Sequence, residues 1–182
     1  MHKITLPKFF LFLDHYENNI VQNDITNLGI IYRNYSKKQN LKDIEKIRLY
    51  CKKKQYKFYI SNSLKLAKKF RADGLYIPAF NKKLIFKNIT VNKKFLLIGS
   101  AHNQMEIVLK LAQGCRAIFL SPLFQNKKKK NNLGICRFNI AKLNHKTKFI
   151  ALGGVSEKNL RSIKMLNVYG IAGISYFKKK PA

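Results

Sequence analysis

Acidic residues are scarce in this chain: eight Asp and Glu stand against 37 Lys and Arg, for a formal net charge of +29 and a pI near 10.2. Cysteine is scarcer still. Cys51, Cys115 and Cys136 are odd in number, scattered and without metal-ligand spacing, so buried free thiols are expected in place of disulfides or a zinc site. Long apolar runs are missing too. Phe9 to Leu13 is typical, far short of a bilayer span, and Met1 to Asp14 has neither the apolar segment nor the small-residue cleavage site of a signal peptide. No linker rich in Ser, Gly or Pro divides the chain. These absences argue against membrane, disulfide-scaffold, collagen-like and disordered classes. With 46% hydrophobic residues, the expectation is a cytoplasmic enzyme or binding protein with one domain over residues 1–182.

Lysine is what the chain has in excess. A field of this sign attracts polyanions, nucleic acid and phosphorylated metabolites alike. The lysines, however, spread over nearly every expected helix and loop and far outnumber the six arginines, and Asn and Ile are abundant as well. That is a broad compositional bias. A specific nucleic-acid partner is not expected.

Eight short apolar runs read as strands: Phe9 to Leu13, Gly29 to Tyr32, Lys57 to Ile60, Gly74 to Ile77, Phe95 to Gly99, Ala117 to Leu120, Lys148 to Leu152 and Gly170 to Ile174. Most are rich in Ile, Leu and Phe without alternation, as strands covered on both faces should be. Helical stripes lie between several of them: Leu41, Ile44, Ile47 and Cys51 in Leu41 to Lys53; Ile107, Val108, Leu111 and Ala112 in Asn103 to Gln113; Leu160, Ile163 and Leu166 in Ser156 to Asn167. Asn103 and Glu106 have capping-box spacing, Gly114 stands at a helix stop, and Ser156 suits a cap. Asn81 to Lys94 has only a weak helical pattern, and nothing after Phe177 can form a full eighth helix. The alternation predicts a compact (β/α)₈ barrel with reduced helices; a doubly wound open sheet is the structural rival.

In such a barrel the chemistry sits at the C-terminal strand ends, and here these carry small or polar residues: Ser100-Ala101-His102, Ser121-Pro122, Gly153-Gly154 and Gly173-Ile174-Ser175. Glycines after the seventh strand and a Gly-Ile-Ser after the eighth make a phosphate cradle of backbone N–H groups.

Five segments carry a resemblance: Ala72-Asp73-Gly74-Leu75-Tyr76-Ile77-Pro78, Ile98-Gly99-Ser100-Ala101-His102, Phe119-Leu120-Ser121-Pro122-Leu123-Phe124, Ile150-Ala151-Leu152-Gly153-Gly154-Val155 and Gly170-Ile171-Ala172-Gly173-Ile174-Ser175. In this order and spacing the chain resembles the thiamine phosphate synthase and thiazole tautomerase (TenI-like) superfamily over roughly Tyr59 to Ser175. The resemblance implies a small barrel of thiamine biosynthesis. Its activity would join a pyrimidine methyl diphosphate to a thiazole phosphate, release pyrophosphate and use Mg²⁺. It places Ser100 at the family's diphosphate-contacting serine and Arg33 at the basic residue of a Gln-x-Arg-x-Lys motif. Lys129 falls on a phosphate-contacting lysine, with Lys127 to Lys130 all candidates. Backbone near Gly153, Gly154, Ile174 and Ser175 would grip the thiazole phosphate. A run of four lysines is also an ordinary solvated loop, and Ser100 and His102 also suit capping of the next helix. His102 has no carboxylate partner nearby in sequence, and no residue is assigned as a catalytic acid or base.

The departures from the family pattern are as informative. Asn62 and Asn81 stand where the synthase has its two magnesium aspartates, and a neutral amide is a poor Mg²⁺ ligand. Among the eight acids only Asp14, Glu17 and Glu157 are placed to approach the mouth. Ile31 and Tyr35 replace the motif's Gln and Lys, and Pro122 stands where the tautomerase has its His. The expectation is a short synthase-like branch whose phosphate sites survive better than its metal and pyrimidine sites. The alternatives are a non-catalytic or TenI-like binder of thiazole or thiamine phosphate, and a non-specific polyanion binder that lacks an arginine-rich groove or aromatic ladder.

Overall fold

Strands that are apolar on both faces need cover on both, and eight of them meet that need by closing into a barrel. The computed structural model describes residues 5–18, 20–21, 25–36, 39–86, 94–125 and 131–173. Its strands are β1 (Phe9–Leu13), β2 (Leu28–Tyr32), β3 (Lys57–Ser61), β4 (Gly74–Ile77), β5 (Leu96–Ala101), β6 (Ala117–Leu120), β7 (Lys148–Leu152) and β8 (Gly170–Gly173). They are parallel and neighbour one another in chain order, and β8 pairs back onto β1 from Phe9 opposite Ile171 to Leu11 opposite Gly173. The open sheet is thereby excluded. β1, β4, β6 and β7 have the bounds read from the sequence; β2 starts one residue earlier, β3 ends one later, and β5 shifts to include Ser100 and Ala101.

Residues alternate between two cores along each strand. Phe10, Phe12, Ile31, Tyr59, Tyr76, Ile98, Phe119 and Ile150 fill the barrel, whereas Leu11, Leu13, Ile30, Tyr32, Ile60 and Leu75 join the outer cluster beneath the helices. The inner core is unusually aromatic: Phe10 meets Phe119 edge-on at 5.0 Å between centroids, Phe12 meets Tyr76 at 5.3 Å, and Tyr76 meets Phe119 at 5.7 Å. Large rings let short strands fill their interior. Gly74 makes room for them, since a Cβ there would lie 2.2 Å from Leu96 O and 2.8 Å from the Tyr59 ring.

Five α-helices are present among the described residues: α1 (Leu41–Lys54), α2 (Leu64–Lys69), α3 (Gln104–Ala112), α4 (Gly134–Lys142) and α5 (Leu160–Ile163). In α1, Asn40 caps Lys42 and Asp43, and Ile44, Ile47 and Cys51 are buried, whereas Leu41 is exposed. The sequence reading missed α2, which is short, and α4, whose apolar residues are scattered: Phe138 is buried but Ile140 exposed. Ser156 to Asn167 is not one helix. A 3₁₀ turn at Glu157–Asn159 leads into α5, because Asn159 accepts the Ser156 N–H and donates to Gly154 O. Between β4 and β5 the structure shows a 3₁₀ turn, Leu84–Phe86. No helix among the described residues is long and apolar enough to cross a membrane.

The cysteines are free, but only Cys51 and Cys115 are buried; Cys136 is exposed. Burial pushes both buried thiols up, Cys115 to about 12, and likewise raises the hydroxyls of Tyr59 and of Tyr76, the latter to about 12. Each group holds its proton more tightly folded than unfolded. Stability is therefore intact below the ordinary thiol range and falls as pH rises through it, by about 1.4 kcal/mol per pH unit for each group the unfolded chain ionises first. Urea midpoints measured between about pH 8 and pH 10.5 should decline ever more steeply; a flat profile would contradict this burial.

Candidate active site

The ends of β1, β2, β4 and β5 converge on one cluster at the C-terminal rim, in which Tyr76 and Ser100 are buried and Arg33 is half-buried. The Arg33 guanidinium carbon lies 4.6 Å from the centroid of the Phe12 ring, and the Arg33 N–H donates to Leu13 O at 2.6 Å. The Tyr76 hydroxyl donates to Ser100 Oγ at 2.9 Å, both residues being buried. Burial raises the Tyr76 hydroxyl to about 12, with the Ser100 hydrogen bond and the nearby Arg33 pulling the other way. A fixed cation beside two oriented hydroxyls is an anion-binding arrangement.

Neither Ser100 nor His102 caps α3 with its side chain. Asn103 does so by accepting the Glu106 N–H at 3.0 Å, while the Glu106 carboxylate returns to the His102 N–H at 2.7 Å, one residue earlier than a capping box requires. The His102 ring turns instead to β6: Nδ1 lies 2.7 Å from Ser121 O and 3.2 Å from Ser121 Oγ, and the carbonyl requires the proton on Nδ1. Ser121 is joined to Pro122 by a cis peptide bond.

At the end of β7, Gly153 and Gly154 have φ of +96° and +68°, values that favour glycine. Their tightness has a structural source. A Cβ on Gly154 would meet Phe124 O at 2.7 Å and Gln125 O at 2.9 Å, and one on Gly153 would meet Pro122 Cα at 3.1 Å. The loop after β6 thus packs directly on the glycine turn, and the Phe124 N–H donates to Gly153 O at 3.1 Å. A bulky residue at Gly154 would disturb this packing as well as any ligand. Ile174, Ser175 and Lys127 to Lys130, including Lys129, lie outside the described residues.

Asn62 and Asn81, 19 residues apart in sequence, meet across the ends of β3 and β4: Asn81 Nδ2 donates to Asn62 Oδ1 at 2.6 Å. The Asn81 Oδ1 accepts the Lys83 N–H at 3.0 Å. Each amide oxygen already accepts one hydrogen bond and neither carries charge, so these residues do not fit a magnesium ion. Among the described residues, one group of three metal-capable side chains exists, Asp14, His15 and Glu17, at the end of β1. There His15 lies between the acids, Nδ1 2.8 Å from Asp14 and Nε2 3.1 Å from Glu17. The imidazole lies between the two carboxylates, and the three ligand atoms fall within 4.8 Å of one another.

Sequence reasoning overlooked what holds Asn81 in place. Lys110 is fully buried, with Nζ donating to Pro78 O and Asn81 O at 2.8 Å each and to Gln113 Oε1 at 2.9 Å. Gln113 Nε2 in turn donates to Asn81 O and Lys83 O. It also overlooked Tyr76, although alternation from Gly74 points it into the barrel, and it read Tyr35 only as a replaced lysine, missing its pairing with exposed Phe80 beside the asparagines.

A family model described as "Thiamine monophosphate synthase" matches residues 18–177. The thiamine-phosphate synthase of Flavobacterium johnsoniae is 28% identical over 149 residues, 78% of this chain and 70% of that protein. That of Prochlorococcus marinus is 25% identical over 139 residues, 75% of this chain but only 40% of that protein. Among solved structures, the thiamine phosphate pyrophosphorylase of Pyrococcus furiosus superposes with a TM-score of 0.71 at 16% identity, covering 93% of this chain and 86% of that one. A 2-keto-3-deoxy-6-phosphogluconate aldolase of Zymomonas mobilis gives 0.67 at 15% identity, covering 97% and 86%. Likeness at this level shows the barrel, which many chemistries share.

Proposed function

This chain belongs to the thiamine monophosphate synthase family, and from that premise we propose that it acts in the cytoplasm as a transferase of thiamine biosynthesis. It would join a pyrimidine methyl diphosphate to a thiazole phosphate. The carbon–oxygen bond to the diphosphate breaks, its electron pair leaves with pyrophosphate, and the methylene carbon bonds to the thiazole nitrogen. The observation that supports the reading is the rim cluster: Arg33, fixed over Phe12, together with Ser100, oriented by Tyr76, would face the place where charge builds on the leaving group. The glycine turn after β7 would receive the thiazole phosphate, together with Ile174 and Ser175, and Lys129 or a neighbouring lysine would close over the diphosphate. No step runs through Mg²⁺.

Purified protein incubated with both substrates, with and without Mg²⁺, should release pyrophosphate and form thiamine phosphate. Arg33→Met should lower turnover about 100-fold with the fold retained, the scale of losing one charge-assisted contact made in the transition state. Unchanged turnover in that variant would overturn the assignment. The Asn62–Asn81 hydrogen bond favours a second reading, a non-catalytic binder of thiazole or thiamine phosphate, for which the same experiment would give binding without product.

A further inference from the structure

Two large aromatic side chains stand in solvent at the functional end of the barrel. Tyr35 is 52% and Phe80 63% exposed, and their rings meet edge-on, 5.4 Å between centroids at 75°. Both are anchored. The Ser61 hydroxyl donates to Tyr35 Oη at 3.4 Å, and Phe80 sits between Pro78 and Asn81, whose carbonyls Lys110 holds from below. Each ring is also tied to one half of the amide bridge, for Ser61 precedes Asn62 and Phe80 precedes Asn81. The ends of β2, β3 and β4 therefore present two rings and two amides, themselves uncharged, next to Arg33.

Exposed aromatic rings already packed on each other offer flat contact area at little entropic cost when a ligand arrives. The amides add hydrogen-bonding edges, since each has more donors and lone pairs than the bridge uses. The two rings and two amides carry no charge of their own, and their chemistry matches an uncharged planar heterocycle. We propose that Tyr35 and Phe80 form a metal-independent platform that stacks the pyrimidine ring of the ligand, with a diphosphate on that ring directed toward Arg33 and Ser100. This rests on the reading that the chain handles phosphorylated heteroaromatic compounds.

The test titrates thiamine phosphate, a phosphate-free aminopyrimidine and inorganic pyrophosphate, in EDTA, into the unmodified protein and into Tyr35→Ala, Phe80→Ala and Tyr35→Phe. Both side chains are exposed, so the variants should fold. The alanine variants should bind both ring ligands about 5- to 50-fold more weakly, as expected for a lost stacking contact, and pyrophosphate within about twofold of the parent. Tyr35→Phe keeps the ring and should bind nearly as the parent does. Equal binding of thiamine phosphate by all four proteins would overturn the platform and leave the thiamine reading standing. If thiamine phosphate binds none of them but the aminopyrimidine binds the parent and is weakened by both alanine variants, the platform stands and the thiamine reading falls. If neither ring ligand binds the unmodified protein in EDTA, the platform is overturned.

Discussion

Installing carboxylates at both asparagines, Asn62→Asp with Asn81→Asp, is expected to convert loose magnesium uptake into binding about 100-fold tighter, close to 2.7 kcal/mol. The two amides already sit 2.6 Å apart, so the positions are in place and only the chemistry is missing. A carboxylate supplies charge and an oxygen where an amide supplies a dipole already committed to its neighbour. Two aspartates at this distance repel when both ionise, so the metal-free double variant should be less stable than the parent. Adding Mg²⁺ should restore that stability, by about 2.7 kcal/mol once the ion reaches a hundred times its Kd. Calorimetry in the presence of pyrophosphate and thermal unfolding with and without EDTA read the two effects separately. Tight, stoichiometric magnesium in the unmodified protein would mean that the acids of this chain form a site elsewhere at the mouth.

The barrel was legible because its strands are contiguous apolar runs in a chain with little else apolar and contiguous, and four of the eight have the bounds read from sequence. The meeting of Asn62 and Asn81 was legible only through the resemblance, since no periodicity links residues on two different strand ends. The support beneath them was not legible, for a physical reason. A rule that buries apolar residues and exposes charged ones chooses Val108 and Ala112 as the inner face of α3, yet both face solvent. The helix turns Ile107, Lys110 and Gln113 inward instead. Spacing alone carried the signal, for 107, 110 and 113 fall on one stripe. Lysine could be buried there because three acceptors converge on its ammonium, a tertiary fact that no local window contains. α4 escaped for a related reason: Phe138 is its one fully buried residue, with Ile135 and Ala141 only partly buried against the core.

Lys110→Met should lower stability by about 2–4 kcal/mol and the Tm by about 5–15 °C, at 2–4 °C per kcal/mol for a chain of this length. Methionine keeps the volume of the stem, so the loss isolates the ammonium. Two of its three acceptors retain a partner, since Pro78 O also accepts the Asn81 N–H and Asn81 O also accepts Gln113 Nε2. Gln113 Oε1 is the acceptor left bare. Against this, the parent already bears a cost, for burial depresses the Lys110 ammonium below its ordinary range. A lysine whose folded pKa is lowered binds fewer protons folded than unfolded between the two values, so its contribution rises with pH across that window. It thereby offsets part of the alkaline decline caused by the buried thiols and tyrosines. The methionine variant lacks that offset and should show a steeper alkaline decline than the parent, as well as a lower Tm at neutral pH. A side chain that merely fills space would leave the two alkaline slopes parallel, and a Tm within about 2 °C of the parent would remove Lys110 as the support of the loop that carries Phe80 and Asn81. Amide exchange in residues 79–83 supplies the link to the site: protection lost there, with β1 and β2 unchanged, means the ammonium holds the β4 end of the mouth in place.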